Sequence, residues 1–465
     1  MPAPDGLQPL RRLLHVPGPS ADVTAAGRRR LESLAAAEAG TSPLPGDDPR
    51  RPGRRRPGWM APLVAAVAVL AVIGGTEAVA SAIRAPAAGD RPAAHGCASA
   101  QIGQPTANSA GRLPVTVYVA SQGDSGPGFV TPISAATSTP GKPIPVGRQP
   151  DAMAIGPGGR TLYVVNNHSV IPIATTTNTP GKPIRVGGAP AGVVVAPDGG
   201  TVYVDSAGAK RGPGFVTPIA AAASRPCQPI PVGRQPDAMA ITPDGKTLYV
   251  ANAASGTVTP IATGTGTPGE PIPVGRQPDA MVITPDGGTV YVGDWASGSV
   301  TPIATATNIP GKPIPVGRHT DAMAVTPDGG TVYDATDDWV TPIATATNTP
   351  GARVRVGDTP YGIAVTPNGK TAYVASLSTV TPIETATNTA GERIKGGYFA
   401  GTVAVTPDGK TLYWTDYGLG TVIPISTATN TPGKQIKVHG SPCAVVTAPW
   451  AAASRALGGR GLSSC

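Results

Sequence analysis

The sequence predicts an all-β protein, a β-propeller of eight four-stranded blades. The first observation is a repeat: the stretch 236–275 begins PDAMAITPDGKTLYV, and the stretch 278–317 begins PDAMVITPDGGTVYV. The second is that the unit recurs through most of the chain, and such units bury their apolar faces by stacking on one another. The third is a composition of 61 Gly and 55 Pro with only 14% charged residues, which favours short strands and tight turns.

Each unit contains four strand-like segments. A short apolar segment is followed by a Pro-Asp-Gly turn, then by a segment centred on a tyrosine such as Tyr249. A Thr-Pro-Ile segment comes third, and after a Thr/Asn/Pro/Gly turn a Lys-Pro-Ile-Pro-Val type segment comes fourth. Four antiparallel strands in about forty residues are typical of a propeller blade. Proline suits an outer edge strand, but in the third strand, as at Pro260, we expect a bulge or an early strand end.

The number of blades follows from counting the units. An incomplete unit begins the array and lacks its first strand, whereas residues 441–446 form a first strand with nothing after it. We therefore expect this C-terminal strand to complete the first blade and close a ring of eight, with seven as the alternative. The complete units begin at Pro150, Pro190, Pro236, Pro278, Thr320, Pro360 and Ala400.

The regions outside the array have other compositions. Residues 1–56 are rich in Arg and Pro and are predicted to be a disordered, basic cytoplasmic segment. Residues 57–83 are predicted to be a transmembrane helix or signal anchor, because residues 57–76 contain no charge and can span a bilayer core. Arginines on the N-terminal side place the propeller outside the cytoplasm; cleavage near Ala80 and secretion is the alternative. A flexible linker (84–112), the propeller (113–448) and a disordered tail (449–465) complete the predicted organisation.

Charge and cysteine content limit the partners and cofactors. The formal net charge is +8, but half of the excess lies in the first 58 residues, so no nucleic-acid partner is expected. The wide spacing of Cys97, Cys227, Cys443 and Cys465 does not suggest zinc. One disulfide among Cys97, Cys443 and Cys465 would tie the two ends of the array together; unpaired thiols are the alternative.

A family resemblance rests on the second strand and the turn before it. The segments PDGKTLYVAN (243–252) and LYVVN (162–166) resemble the YVTN-type β-propeller repeat family, and the similarity covers residues 113–448. Two copies depart from the pattern, YDAT at 333–336 and YWTD at 413–416. The resemblance implies a bacterial or archaeal surface or periplasmic protein that acts as a binding scaffold, without implying one chemistry.

Candidate binding residues cluster in two loop types that share one face of a propeller. Loops from a fourth strand to the next first strand carry Gly-Arg-Gln-Pro-Asp or a variant, and loops between second and third strands add carboxylates and aromatic rings. This face is predicted to bind a ligand; the alternative is that Arg and Asp pair between blades and cap strand ends. The candidates are Arg148, Asp151, Arg234, Asp237, Arg276, Asp279, Asp294, Trp295, Arg318, His319, Asp321, Asp337, Trp339 and Asp416.

No motif of a known catalytic site occurs in the sequence, so no catalytic residue, metal or cofactor is predicted. Recurrent methionines on the first strand are interpreted as core residues. We expect a membrane-anchored extracytoplasmic scaffold that binds a protein, a peptide or an envelope polymer. The alternatives are a structural surface protein and a lyase or lactonase-like hydrolase, for which the plausible contributors are Asp294, His319, Asp337 and Asp338.

Overall fold

The computed structural model describes residues 115–123, 126–208, 212–317 and 319–448. These residues form eight separate antiparallel sheets, one for each blade, so the predicted all-β propeller and its count of eight are confirmed. Within these ranges no helix is long and apolar enough to cross a membrane. The predicted segment 1–56, the membrane segment 57–83, the whole linker 84–112 and the tail 449–465 lie outside the described residues.

The first four blades contain strands β1–β19 together with the last strand, β40. Blade 1 consists of β1 (Thr116–Gln122), β2 (Gly128–Ser134), β3 (Thr139–Pro140), β4 (Ile144–Gly147) and β40 (Ser441–Ala448). Blade 2 consists of β5 (Ala152–Ile155), β6 (Thr161–Val165), β7 (Ser169–Ala174), β8 (Thr179–Pro180) and β9 (Ile184–Arg185). Blade 3 consists of β10 (Ala189–Val195), β11 (Thr201–Ala207), β12 (Phe215–Ala220), β13 (Arg225–Pro226) and β14 (Ile230–Pro231). Blade 4 consists of β15 (Pro236–Ile241), β16 (Thr247–Asn252), β17 (Thr257–Ala262), β18 (Thr267–Pro268) and β19 (Ile272–Pro273).

The remaining four blades repeat this arrangement. Blade 5 consists of β20 (Pro278–Ile283), β21 (Thr289–Asp294), β22 (Ser299–Ala304), β23 (Ile309–Pro310) and β24 (Ile314–Pro315). Blade 6 consists of β25 (Thr320–Val325), β26 (Thr331–Thr336), β27 (Trp339–Ala344), β28 (Thr349–Pro350) and β29 (Val354–Arg355). Blade 7 consists of β30 (Pro360–Val365), β31 (Thr371–Ser376), β32 (Thr379–Glu384), β33 (Thr389–Ala390) and β34 (Ile394–Lys395). Blade 8 consists of β35 (Ala400–Val405), β36 (Thr411–Asp416), β37 (Thr421–Ser426), β38 (Thr431–Pro432) and β39 (Ile436–Lys437).

The outer strand of each blade is broken into two short pieces, which gives five strands in place of the predicted four. In blade 4 the third strand runs through Pro260, which pairs with Tyr249 in unbroken register, so the expected bulge or early end there is wrong. The Pro260 carbonyl accepts a hydrogen bond from Gly269 N at 2.7 Å. Because the N and C=O of one strand residue point to the same side, the N–H that Pro260 lacks faces the break in the outer strand.

The ring closes through β40, which pairs with β1 from Thr116↔Ala448 to Gln122↔Ser441, as predicted. Cys443 lies in this closing strand as a buried free thiol whose Sγ is 3.3 Å from the Pro150 carbonyl oxygen. A terminal disulfide through Cys443 is therefore excluded, whereas Cys227 is disulfide-bonded. Cys97 and Cys465 lie outside the described residues.

The core lies between neighbouring blades, where the repeated tyrosine forms a latch. Tyr249 of blade 4 is fully buried, and its hydroxyl donates to Asn308 Oδ1 of blade 5 at 2.7 Å. Asn308 has a φ of 56°, a left-handed conformation that asparagine tolerates better than most residues. The other pairs of this kind are Tyr118–Asn178, Tyr291–Asn348, Tyr333–Asn388 and Tyr373–Asn430.

Candidate functional site

The two faces of the propeller differ in how their polar groups are used. We call the face with the Pro-Asp-Gly and Thr/Asn turns the back face and the opposite face, which carries the candidate residues, the front face. On the back face, Thr242 Oγ1 donates to Asp244 Oδ1 at 2.6 Å and Thr263 Oγ1 donates to the Gly245 carbonyl at 2.6 Å. The equivalent bonds recur in most blades, so these polar groups are used within their own turns. The described array also begins and ends on the back face, where Thr116 pairs with Ala448.

Two of the candidate arginines, Arg234 and Arg276, form hydrogen bonds to the nearby turns between the second and third strands of blades 4 and 5. A guanidinium nitrogen of Arg234 donates to the Ala254 carbonyl at 3.1 Å, and Arg276 makes the same bond to Ala296 at 3.3 Å. Their backbone N–H groups donate to the hydroxyls of Ser255 and Ser297. This arrangement matches the alternative in which the repeated arginines cap strand ends. Arg148 is exposed at the equivalent position, and Arg318 lies outside the described residues.

The candidate aspartates of the same loops are the extra residues of β-bulges. In blade 4, Pro236 pairs with Asn252 and Ala238 pairs with Ala251, which leaves Asp237 outside the ladder. A bulge on an innermost strand redirects its side chain and often lies beside a functional site. The bulged residues therefore lie at the front ends of the innermost strands. The equivalent residues are Asp279 in blade 5, Asp321 in blade 6 and Tyr361 in blade 7, and Asp151 precedes β5 in blade 2.

Two other candidates, Asp294 and Asp416, are fully buried. Asp294 Oδ2 accepts hydrogen bonds from Thr301 Oγ1 at 2.7 Å and Ser299 Oγ at 3.2 Å, and burial raises the pKa of Asp294 to about 6. Asp416 accepts backbone N–H bonds from Tyr398, Phe399 and Leu419. Both carboxyl groups therefore hold front-face loops in place rather than facing solvent.

Three candidates come together at the junction of blades 5 and 6. His319 Nδ1 lies 2.8 Å from Asp337 Oδ1, and the His319 ring centroid lies 4.4 Å from that of Trp295. His319 has a φ of 62°, at the position where other blades carry a glutamine in the same left-handed conformation. Among the described residues, no group of three His, Cys, Asp or Glu side chains has the geometry of a metal site. The contact orients one imidazole with Nε2 directed away from the carboxylate.

The front face also carries an apolar patch that was not predicted, formed by Tyr361, Tyr398, Phe399, Tyr417 and Leu419. The ring centroids of Tyr361 and Phe399 are 6.0 Å apart, and those of Phe399 and Tyr417 are 6.2 Å apart. Tyr398, Tyr417 and Leu419 are 48%, 43% and 47% exposed. The signal in the sequence was the loop Gly-Gly-Tyr-Phe at 396–399, which replaces the Arg-Gln-Pro type loop of other blades.

The position of the patch depends on a larger core residue and a smaller loop residue in blade 8. Trp414 is fully buried at the position where six other blades have valine. A Cβ atom on Gly397 would lie 2.5 Å from the Trp414 ring, so this glycine is required for the loop to lie against the indole. The large ring and the small loop residues compensate each other, and Asp416 then fixes the backbone of Tyr398 and Phe399.

Two further carboxyl groups, those of Asp205 and Asp334, are buried and are not among the residues that the sequence predicted for the site. Asp205 Oδ1 accepts from Gly192 N at 2.5 Å, and burial raises the pKa of Asp205 to about 7. Asp334 is fully buried at the junction of blades 5 and 6, and neither of its oxygens makes an aligned hydrogen bond to a described residue. Burial raises the pKa of Asp334 well above its usual range; the neighbouring Thr320 hydroxyl opposes this, and the carboxylates of Asp321 and Asp294 reinforce it. Sequence reasoning had noted Asp334 only as a departure from the YVTN pattern.

Trp339 lies on the front face of blade 6, between the His319–Asp337 contact and the apolar patch. Its side chain is 37% exposed, and the guanidinium carbon of Arg355 lies 6.0 Å from its ring centroid. Arg355 pairs with Trp339 across the ladder, so the contact belongs to the outer edge of blade 6. The front face of blades 5 to 8 thus combines aromatic rings, an oriented imidazole and several carboxylates.

Comparison with known proteins places the chain by fold. No family model matches it, and no match is found among curated proteins. Among solved structures, hydrazine synthase of Kuenenia stuttgartiensis is 25% identical, with a TM-score of 0.50, over 60% of this chain and 96% of that chain. The dihydro-heme d1 dehydrogenase NirN is 17% identical with a TM-score of 0.62 (74% and 79% covered), and apo AztD of Citrobacter koseri is 13% identical with a TM-score of 0.56 (72% and 98% covered). The chain is similar in fold to these proteins, which include enzymes by name, and the likeness establishes a β-propeller.

Proposed function

We propose that this protein is a non-catalytic binding scaffold that engages a protein, peptide or envelope polymer through the front face of blades 5 to 8. The observation that carries the proposal is the distribution of exposed apolar side chains. Of the five large ones in the described residues, Trp339, Tyr398, Tyr417 and Leu419 lie on this face, and only Ile309 lies on the back face. Clustered exposed aromatic residues mark interaction sites, because covering them removes apolar surface from water.

The proposed location is the extracytoplasmic side of a cell membrane, with residues 57–76 as a single anchor and secretion as the alternative. The uncharged run and its flanking arginines support this. The resemblance to YVTN-type repeat proteins supports a surface or periplasmic protein. Both ends of the described array lie on the back face, opposite the proposed binding face.

A matched pair of variants tests the proposal. The full-length chain is incubated with envelope extract, cross-linked and recovered, in parallel with the variant Tyr398→Ser/Tyr417→Ser and with Ile309→Ser. We expect one or more bound species to be lost from the front-face variant and kept by the back-face control, whose substituted side chain is 64% exposed. Equal retention by all three proteins would show that this face is not the binding surface.

The second candidate, a propeller hydrolase or lyase, is favoured by the contact between His319 and Asp337. Of the four contributors named from the sequence, these two are in contact, whereas Asp294 is buried and bonded to Ser299 and Thr301. The substitution His319→Gln restores the residue of other blades. Turnover of lactones or uronate polymers by the wild type that this variant loses would favour the enzyme.

The third candidate, a structural surface protein, predicts self-association of the full-length chain. Sedimentation velocity over a range of concentrations measures it. A monomer at all concentrations would contradict this candidate, whereas assembly that Tyr398→Ser/Tyr417→Ser abolishes would identify a second copy as the partner of the front face.

A further inference from the structure

Building on the proposed function, we infer that the front face of blades 6 to 8 is a docking surface for a polypeptide segment that carries arginine or lysine. The apolar patch would cover the segment's apolar part, while its cationic side chains would reach the carboxylates beside the patch. The inference selects one ligand class from those that the proposed function allows.

Several carboxylates of this sector lie nearer the axis than the cationic residues of its outer strands. Asp321 is the bulged residue of an innermost strand, and Asp358 belongs to the loop before the next innermost strand. Asp337 and Asp338 lie in the hairpin between the second and third strands of blade 6. By contrast, Arg355, Lys395 and Lys437 belong to outer strands at the rim. The Arg353 guanidinium reaches farther in, to Gly317 in the loop before blade 6. A ligand lying over the patch and the channel end therefore faces carboxylates among the described residues.

The patch and the carboxylates form one continuous surface. Asp321 and Tyr361 are the bulged residues at the front ends of β25 and β30, two innermost strands that pack side by side. From Tyr361 the rings continue through Phe399 to Tyr417, at centroid separations of 6.0 and 6.2 Å. A segment that binds across blades 6 to 8 would contact apolar and acidic groups side by side.

An internal contact shows the chemistry that this surface supports. The Arg355 guanidinium lies 6.0 Å from the centre of the Trp339 ring, within the distance of a cation–π interaction. An arginine of the ligand could form the same cation–π interaction with Tyr398 or Tyr417, both of which are exposed. Carboxylates close to aromatic faces add charge complementarity, which speeds association and discriminates between partners.

The surface is also held in place before any ligand arrives. The three backbone N–H groups that Asp416 accepts belong to Tyr398, Phe399 and Leu419, so both loops of the patch depend on one buried carboxylate. Preorganisation lowers the entropy cost of binding. Anionic polymers are disfavoured here because the sector's front loops place carboxylates beside the patch.

Panning of a random twelve-residue peptide phage library on the immobilised full-length chain tests the inference. We expect enriched peptides to have an excess of Arg and Lys over the starting library, and to bind Tyr398→Ser/Tyr417→Ser at least tenfold more weakly than the wild type. The double variant Asp338→Asn/Asp358→Asn should weaken the same peptides several-fold, and added salt should reduce this difference. Ile309→Ser is the matched control and should leave binding unchanged.

Several outcomes would overturn the inference. No enrichment over the bare support, enriched peptides without excess cations, or binding that only Ile309→Ser weakens would each contradict it. Uncharged or acidic peptides that still require Tyr398 and Tyr417 would contradict the cationic ligand and leave the proposed binding face standing. If neither peptides nor envelope species depended on those two tyrosines, the proposed function would fail as well.

Discussion

Asp334 occupies a position where valine faces the preceding blade in six of the other blades. The valines are Val119, Val164, Val204, Val250, Val292 and Val374, all fully buried. Around Asp334 the interface changes as well: Thr320 replaces the proline that begins most other inner strands, and Gly293 accommodates the Thr320 methyl group, which a Cβ atom would meet at 2.4 Å. One junction of eight has thus been altered at three positions, next to the cluster of Trp295, His319 and Asp337.

We expect Asp334→Val to raise the free energy of unfolding by about 1–3 kcal/mol, because it removes a buried carboxyl without aligned hydrogen bonds. Denaturant unfolding at pH 7 measures the change. Asp334→Asn is the control, and it should gain less because it keeps a buried polar group. A destabilised valine variant would contradict this account of the site.

The buried carboxyl groups also predict how stability depends on pH. Burial raises the folded-state pKa of Asp205 to about 7 and of Asp294 to about 6, above the unfolded value of about 3.9. Groups with raised pKa stabilise most below the unfolded pKa, and this stability is lost as pH rises through the folded pKa. Each group contributes a slope of at most about 1.4 kcal/mol per pH unit over its window. We therefore expect the free energy of unfolding to fall between about pH 4 and pH 7.

Denaturant titrations at pH 4.5 and 7.5 measure this fall, and Asp205→Asn and Asp294→Asn should each reduce it. The back-face carboxylates Asp244, Asp286 and Asp328 act in the opposite direction, because hydrogen bonds from neighbouring threonines lower their pKa. Their stabilisation is lost only at lower pH, so it does not obscure the window. Stability that rose from pH 4.5 to 7.5 in the wild type would contradict the prediction.

At the scale of the element, the back-face turn does two jobs. Its residue with left-handed backbone conformation, usually asparagine, closes the turn. The side chain of this asparagine also accepts a hydrogen bond from the tyrosine hydroxyl of the preceding blade. In blade 3 this residue is Ser224, with a φ of 49°. Serine is less suited than asparagine to this conformation, and its side chain is shorter. The latch between blades therefore varies in strength around the ring.

Ser224→Asn should raise the free energy of unfolding by about 0.5–1.5 kcal/mol, through one added hydrogen bond to Tyr163 and a better backbone preference. Thermal unfolding measures it as a higher Tm. The reverse change in blade 5, Asn308→Ser, should lower stability by a similar amount. Unchanged Tm values in both variants would show that the latch contributes nothing to stability.

At the scale of the whole molecule, stability depends on closing the ring. The strand β40 supplies the innermost strand of blade 1 and packs beside β35 of blade 8 and β5 of blade 2. Without it, β1 would become an exposed strand edge at the centre of the array, and such edges promote aggregation.

Ending the chain at residue 440 should therefore abolish the cooperative unfolding transition or lower Tm by more than about 10 °C, because blade 1 loses its innermost strand. Circular dichroism on heating and size-exclusion chromatography measure the effect. Ending the chain after Ala448 is the control, because it keeps all of β40. A normal transition in the shorter protein would contradict closure by this strand.

The sequence predicted much of the fold and less of the site, and particular residues show why. The repeated Tyr249-type strand and the isolated segment 441–446 identified the blades and their closure. Arg234 and Asp294 were correctly assigned to one face, but their partners, the Ala254 carbonyl and the hydroxyls of Ser299 and Thr301, follow from the folded loops. The apolar patch was missed because its residues come from one strand and two loops: Tyr361 in β30, Tyr398 with Phe399, and Tyr417 with Leu419.

By itself, the sequence determined the propeller, its eight blades, the strand that closes the ring and the chemical difference between its two faces. Each of these is periodic or local along the chain, since a repeat imposes the same strand pattern every time it occurs. Only the tertiary structure decided which front-face residues are structural, that His319 contacts Asp337, and that Asp416 supports the apolar patch. Those relations depend on departures from the repeat, whose consequences appear only when neighbouring blades pack against each other.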